Sequence, residues 1–298
     1  MTARALGAAQ TIGEPASAVL PRLLVLTAAL LFSTGGVAIK ACTLSGWQIA
    51  SFRAAIAAAT FLFLVPEARR GFTRRNAMVA TIYAATLILF VNATKLTTAA
   101  NAIFLQSTAP LYVLVLSPLL LHERLRRDDL PILALMAIGM TLFFVGSDET
   151  TPIASNPWLG NLLGAASGLT WACTVMGMRA IASSGGTTTS MLVAGNLLAF
   201  AACLVMAPEL RMPTFADWLI LVYLGIFQIA AAYMLLSRGV LRLRALEVSL
   251  LVLLEPVLNP VWVWLVHGEK PGAWAVMGGL IIIAATTMNT LSQSRSRR

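Results

Sequence analysis

Apolar residues occupy ten successive stretches of the chain, separated by short polar connections. Each stretch contains roughly 17 to 26 residues, enough for a helix to cross the hydrocarbon core of a bilayer. We therefore predict an all-α polytopic membrane protein with ten transmembrane helices. The predicted spans, numbered 1 to 10 in chain order, are 22–41, 47–65, 76–94, 98–121, 130–146, 158–179, 187–207, 214–237, 244–266 and 272–291.

The composition indicates a surface covered mostly by lipid. Hydrophobic residues make up 58% of the chain and charged residues 11%, whereas soluble domains carry about 25% charged residues. If the N-terminus is cytoplasmic, 16 Lys and Arg residues fall inside and 4 outside, and Arg53 lies within a span. This asymmetry predicts that both termini are cytoplasmic, with a tail at 1–21 and a basic tail at 292–298. It also explains the net charge of +9 without a nucleic-acid partner.

Metal and cofactor chemistry is not indicated. The three cysteines are far apart and lie in or beside apolar segments, which argues against a disulfide framework or a metal site. The two histidines have no metal-ligand partner at helical spacing. The phosphate-binding motif G-x-x-x-x-G-K-[ST] does not occur, so we predict no ATP hydrolysis by the chain itself, no metal and no cofactor.

An internal repeat divides the chain into two halves. TAPLYVLVLSPLLLHER in span 4 resembles LEPVLNPVWVWLVHGEK in span 9 at a shift of 146 residues, which matches Pro110 with Pro256. FSTGGVAIK in span 1 resembles WACTVMGMR in span 6 at a shift of 139, which matches Phe32 with Trp171. Because five spans per half is an odd number, the second half is inverted in the membrane. We predict two inverted five-helix repeats, 22–147 and 158–291, an architecture in which two halves rock about a central site.

The order and spacing of these motifs resemble the EamA branch of the drug/metabolite transporter superfamily. The resemblance rests on the pattern of five plus five spans, on "LEP" in span 9 and on a basic residue that ends spans 1 and 6. Within that branch the chain is similar to bacterial amino-acid exporters, including those for aromatic amino acids. The resemblance implies a carrier in the bacterial inner membrane that exports small metabolites, and an "EP" pair that occurs with many different substrates.

Span 9 contains a carboxylate within an apolar run. Glu255 falls at the midpoint of the predicted span, where a charge is costly unless it faces protein, water or a partner. Pro256 and its counterpart Pro110 each free a backbone carbonyl, and paired interruptions of this kind indicate a transporter site. We predict a gating or proton site at Glu255, Pro256, Pro110 and Asn259, with Asn259 one turn beyond Glu255 and able to hydrogen-bond to it. The alternative is a carboxyl that only packs span 9 against its neighbours.

Polar and aromatic residues within the spans supply candidates for substrate binding. Asn101, Thr108 and Tyr112 share one face if span 4 is a continuous helix. Trp171 is the one tryptophan predicted near mid-depth, and we expect it to face Phe32 across a central cavity. The candidate set is Phe32, Ser33, Tyr83, Asn92, Asn101, Thr108, Tyr112, Trp171, Gln228 and Tyr233. The alternative for each is a packing contact or hydrogen bond between helices.

Two further features concern packing. Arg53, near the outer end of span 2, is expected to extend its charged head to the membrane interface; a clamp on a substrate carboxylate is the alternative. Gly160, Gly164 and Gly168 recur every four residues in span 6. This spacing favours close helix packing, which we expect within a monomer.

These observations predict a secondary carrier or facilitator and not an enzyme. A cavity with few charges, several hydroxyls and amides, and aromatic walls suits amino acids, above all aromatic or otherwise hydrophobic ones. Flat lipophilic cations are the alternative substrates. A membrane-embedded enzyme requires clustered acids or histidine pairs near one interface, a pattern that the chain lacks. A channel is the remaining possibility.

Overall fold

The computed structural model describes residues 19–120, 129–145, 154–207, 209–240, 248 and 251–296. Within these residues every regular element is helical. A short 3-10 turn, Pro66–Arg69, joins α3 to α4, and a π-helical segment, Leu224–Ala231, joins α10 to α11. The helices are α1 Val19–Ser33, α2 Gly35–Ala41, α3 Gly46–Leu64, α4 Arg74–Leu96, α5 Ala99–Gln106, α6 Ala109–Leu120, α7 Asp129–Leu142, α8 Pro157–Ser183, α9 Thr188–Met206, α10 Phe215–Tyr223, α11 Ala232–Val240, α12 Leu254–His267 and α13 Ala273–Ser296.

Five helical rods in the described residues are long and apolar enough to cross a membrane. They are Val19–Ala41, Gly46–Leu64, Arg74–Leu96, Thr188–Met206 and Phe215–Gly239. Shorter apolar helices cover Leu130–Leu142 and Ala273–Met288. Large apolar side chains also point outward, among them Phe63, Val205 and Leu265, each at least 65% exposed. The chain is therefore a multi-pass membrane protein, and the total of ten spans stays a prediction.

Several helix ends meet at one end of the bundle. Lys40 Nζ, at the end of α2, lies 3.4 Å from Glu269 Oε2 and donates to the Thr97 carbonyl at 2.7 Å. Glu269 follows α12, and its other oxygen accepts from the Ala99 backbone N–H at the start of α5. Lys95, at the end of α4, donates to the Cys42 carbonyl. Such contacts between helix ends and helix starts are expected when consecutive spans alternate in direction.

The start of α10 is fixed at the same end of the bundle. Thr214 and Asp217 form a reciprocal capping box, which satisfies backbone N–H groups that the first turn leaves free. Asp217 also accepts hydrogen bonds from the backbone and side chain of Thr43 at 2.8 Å. Cys42 donates to the same carboxylate at 3.3 Å. Burial raises the pKa of the Cys42 thiol to about 12, so the thiol stays protonated.

Two helical rods are interrupted at a Ser-Thr pair. Ser33 and Thr34 donate their hydroxyls to Leu30 and Leu31 carbonyls, both at 2.7 Å, and two glycines follow. Hydroxyls that bond back to their own helix bend it, and glycine weakens it further. In span 4 the pair Ser107 and Thr108 does the same, and Pro110 follows. The sequence prediction did not identify the first interruption.

The break in span 4 corrects one expectation, that its polar residues lie on one continuous helix. Because α5 ends at Gln106 and α6 begins at Ala109, span 4 is interrupted between them. The Leu105 carbonyl next to the break accepts from the Thr108 hydroxyl at 2.6 Å. Gly168 packs against the same carbonyl, since a Cβ at Gly168 would lie 2.8 Å from its oxygen.

A corresponding break precedes the "LEP" motif. The turn at Leu253 lies 146 residues after Ser107, the shift that relates the two repeats, and α12 starts directly after it. The paired interruption of spans 4 and 9 is therefore present. Glu255 lies in the first turn of α12, and residues 244–247, 249 and 250 of the predicted first half of span 9 lie outside the described residues.

Spans 1 and 6 differ, although the sequence relates them. α1 ends one residue after Phe32, whereas α8 runs unbroken through Trp171 for 27 residues. The glycine ladder of α8 packs within the chain, as predicted. A Cβ at Gly160 would lie 2.6 Å from the Thr97 backbone, and one at Gly164 would lie 3.2 Å from Leu105.

The predicted tails fall partly outside the described residues. Helix α1 begins at Val19, three residues before predicted span 1, and residues 1–18 are not described. Helix α13 continues past residue 291 to Ser296, through most of the predicted basic tail.

Candidate substrate-binding site

The interruption in span 1 lies where three other helical segments approach it. A Cβ at Gly35 would lie 2.9 Å from Gln228 Nε2, and one at Gly36 would overlap Asn259 Oδ1. The absence of side chains at these two positions therefore lets the π-helical segment and α12 approach α2 closely. Thr34 shares a 2.7 Å hydrogen bond with the Tyr223 hydroxyl of α10. Ser33 accepts a 3.0 Å hydrogen bond from the Trp262 indole of α12.

Four aromatic rings from four spans meet beside this interruption. Tyr233 is at the centre: its ring centroid lies 5.2 Å from Phe32, 5.9 Å from Tyr83 and 6.4 Å from Trp171. The interplanar angles of 78°, 85° and 70° make each contact edge to face, which is a favourable arrangement for aromatic quadrupoles. Phe32 and Trp171 thus lie in one cluster, and the expectation that they face each other across a central cavity stays a prediction. However, both contact Tyr233, which the sequence did not place between them.

Arg53 lies next to this aromatic cluster, and the expectation that it reaches the interface is wrong. The residue is 2% exposed. Its guanidinium donates to Gln228 Oε1 and to the Leu87 carbonyl, both at 3.4 Å, and it interacts electrostatically with Tyr83, Tyr233 and Cys203. The reason is the direction of the side chain: it points from α3 towards α4 and the π-helical segment, and not along α3 towards its end.

The π-helical segment positions Gln228. Segments with this winding are rare and often occur at functional sites. Here it carries Gly225, where a Cβ would lie 2.6 Å from Ile56 of α3. The close approach of the two backbones brings Gln228 within reach of both Arg53 and the interruption in span 1.

Several buried polar atoms of this region have no hydrogen-bond partner among the described residues. They are Arg53 Nε and both side-chain polar atoms of Asn259, whereas the Tyr83 hydroxyl lies within hydrogen-bonding reach of Asn196 and Tyr233. A buried polar group that is left unpaired costs about 1–3 kcal/mol. Such groups need an explanation in a native structure, and a site for a polar ligand is one.

The predicted hydrogen bond between Asn259 and Glu255 is absent. Both polar atoms of the Asn259 side chain are unpartnered, and the side chain packs against Gly36. Glu255 is half-buried and interacts electrostatically with Tyr233. Pro256 is buried in the first turn of α12, whereas Pro110 stands at the start of α6 and takes no part in the cluster. A gating or proton role for Glu255 stays a prediction.

Four of the candidate residues lie outside the cluster and bond to neighbouring helices or to their own. Asn101 donates to Asn161 Oδ1 at 3.1 Å, and Asn92 donates to the Ile88 carbonyl of its own helix at 2.9 Å. Thr108 bonds to its own helix, as described above, and Tyr112 donates to Met140 Sδ at 3.6 Å. The face that Asn101, Thr108 and Tyr112 were expected to share does not exist, because the helix is broken between them.

The structure thus brings together Phe32, Ser33, Tyr83, Trp171, Gln228 and Tyr233 from the predicted set. It adds Arg53, Thr34, Tyr223 and Trp262, which the sequence reasoning had not selected. One signal was present in the sequence: Arg53 is the one Lys or Arg that lies several residues inside a predicted span and not at its end. A charge within a span usually faces the protein interior and serves a function.

This arrangement of alternating apolar helices, with interrupted helices around a polar and aromatic centre, defines the class of multi-pass membrane transporters. The chain belongs to the EamA-like transporter family, whose pattern matches it twice, at residues 20–145 and 158–291. The match confirms the family resemblance inferred from the sequence. Membership makes the chain a membrane transporter of small molecules.

The comparison with solved structures supports the fold and does not identify a substrate. A solved structure described as "Crystal structure of protein" is similar to this chain with a TM-score of 0.61 and 21% sequence identity. The similarity covers 93% of this chain and 99% of the other. No curated protein matches the chain.

Proposed function

We propose that the protein is a secondary carrier of the bacterial inner membrane that exports small metabolites, above all amino acids with aromatic or otherwise hydrophobic side chains. In this proposal two inverted five-helix halves alternate access to a central site. Both termini lie in the cytoplasm, and the monomer is the working unit. The distribution of Lys and Arg and the matched breaks at Ser107 and Leu253 support this arrangement.

The observation that carries the substrate class is the ring cluster around Tyr233. The ring centroids of Phe32 on α1, Tyr83 on α4 and Trp171 on α8 all lie within 6.4 Å of the Tyr233 centroid on α11. A change in the relative position of the helices alters these contacts, and an aromatic side chain of a substrate can replace one of them. The Gln228 amide and the Ser33 and Thr34 hydroxyls close by supply the few polar groups that fix the orientation of a small ligand.

Lipophilic cations are a second candidate substrate class, and one observation favours them. Aromatic faces attract cations, and the carboxyl group of Glu255 interacts electrostatically with Tyr233. The nearby guanidinium of Arg53 acts against cation binding, and for this reason we favour amino acids.

Transport by purified protein in liposomes tests the proposal. We expect saturable uptake of labelled phenylalanine that unlabelled tryptophan inhibits, measured with and without a pH gradient. Empty liposomes and the Tyr233→Ala variant serve as controls. Saturable uptake of tetraphenylphosphonium but not of phenylalanine would favour the cation alternative, and current through open pores would indicate a channel.

A further inference from the structure

Arg53 is a buried cation without a counter-ion in the part of the chain that the structure describes. The described carboxylates that form ion pairs, Glu209 and Glu269, pair with Arg211 and Lys40. The charge on Arg53 is held only by two neutral acceptors at 3.4 Å, which is longer than the 2.7–3.2 Å of a good N–H···O hydrogen bond. A buried charge held this weakly is costly unless another group pairs with it.

The surroundings of Arg53 fit the carboxylate of a small molecule. Arg53 Nε has no hydrogen-bond partner in the described residues, and the buried hydroxyl of Tyr83 interacts electrostatically with Arg53. The guanidinium is planar and pairs with both oxygens of a carboxylate at once. The Gln228 amide nitrogen, which lies against Gly35 in the span 1 interruption, is a further donor. Arg53 and Gln228 lie beside the aromatic cluster, and Tyr83 belongs to it.

We infer that Arg53, with Tyr83 and Gln228, forms a subsite for the free carboxylate of the substrate, next to a subsite for its apolar ring. This inference rests on the proposed function, because it assigns the two ends of one substrate to two parts of the same site. It predicts that the carrier requires a carboxylate and tolerates the loss of the amino group. Inhibitors of phenylalanine uptake therefore include 3-phenylpropionate and exclude phenylalaninamide.

Arg53→Met removes the charge and keeps most of the apolar stem, and Arg53→Lys keeps the charge and removes the planar fork. We expect the KM for phenylalanine to rise about 10- to 100-fold in Arg53→Met, which corresponds to roughly 1.4–2.8 kcal/mol, and less in Arg53→Lys. Inhibition by 3-phenylpropionate weakens to the same degree. Arg211→Met is the matched control, since this arginine is 75% exposed, and its KM stays unchanged.

A purely structural role for Arg53 gives a different result. In that case Arg53→Met lowers thermal stability in detergent, and phenylalanine and phenylalaninamide inhibit the wild type equally. That outcome would overturn the inference, whether or not Arg53→Met can be purified, because the inhibitor comparison uses the wild type.

A separate binding experiment distinguishes failure of the proposed transport function from failure of the carboxylate subsite. If the wild type transports no amino acid, binding is measured as the rise in melting temperature with 3-phenylpropionate, compared with equal concentrations of sodium chloride and of phenethylamine. Stabilisation by the carboxylate alone, lost in Arg53→Met, supports the subsite even then. Equal stabilisation by all three, or by none, refutes it.

Discussion

Gly36 offers a direct test of how closely span 1 packs against span 9. A Cβ at this position would overlap Asn259 Oδ1 and lie 3.0 Å from the Cγ and Nδ2 atoms of Asn259. Asn259 is fully buried, and Pro256 and Pro260 stiffen the helix on either side of it. Because the Asn259 side chain is fully buried, we expect Gly36→Ala to push α2 and α12 apart.

The expected magnitude follows from two opposing effects. Overpacking a close contact costs about 1–3 kcal/mol, and alanine gains about 1 kcal/mol over glycine within a helix. Because the overlap with Asn259 is severe, we expect the upper part of the range for overpacking. The net loss of stability in Gly36→Ala is then about 1–2 kcal/mol, measured by unfolding in detergent micelles.

A double-mutant cycle separates this clash from other effects of the added methyl group. Asn259→Ala removes the overlapping atoms and also two unpartnered polar atoms. In the Asn259→Ala background Gly36→Ala should be neutral or stabilising, which gives a coupling of about 1–3 kcal/mol between the two sites. Gly272→Ala is the matched control, because no atom lies within 4 Å of its Cβ position. If the Gly36 and Asn259 effects simply add, the described packing of span 1 on span 9 is wrong.

Three further predictions concern transport and topology. Trp171→Ala should reduce transport of phenylalanine about 2- to 10-fold more than transport of alanine, since an aromatic contact contributes about 0.5–1.5 kcal/mol beyond area burial; an equal loss for both substrates would indicate a packing defect. Glu255→Gln should fold and lose any dependence of uptake on a pH gradient, and a variant with normal stability and an unchanged pH response would remove Glu255 from the mechanism. Reporter fusions at Asn76 should read cytoplasmic and fusions at Gly272 periplasmic, and the reverse result would invert the topology.

The apolar pattern and the repeat predicted much of the architecture. Length and composition were enough to identify the five helical rods of the described residues that can cross a bilayer, because a bilayer imposes both. Pro110 and Pro256 also marked the paired breaks correctly to within a few residues. The break at Thr34 was not predicted, because it depends on hydroxyls that bond back to their own helix and on two glycines. Such groups interrupt a helix only when neighbouring segments stabilise the bent form.

The position of Arg53 shows the limit of sequence reasoning about the site. The number of residues to the end of a span gives the depth of a side chain but not the direction in which it points. In an apolar helix such as α3 the lipid-facing and protein-facing sides look alike in the sequence. Only the packing of α3 against α4 and the π-helical segment shows that the guanidinium lies inside the bundle.

The same limit applies to polar residues in the spans. Asn101 and Gln228 were equivalent candidates, as amides within apolar segments. Asn101 bonds to Asn161 of α8, whereas Gln228 approaches Arg53 and Gly35. The difference arises from partners that are 60 and about 175 residues away in the chain, which no local pattern records.

The unequal construction of spans 1 and 6 has a kinetic consequence. Span 1 bends at Thr34, while α8 is a single rod through the corresponding position. If the two halves alternate access as proposed, we expect them not to open with equal ease, so that the substrate meets a differently shaped site from each side of the membrane. Without a driving gradient, detailed balance still requires the ratio of kcat to KM to be equal in both directions. A tighter KM on one face must therefore be matched by a proportionally slower turnover from that face.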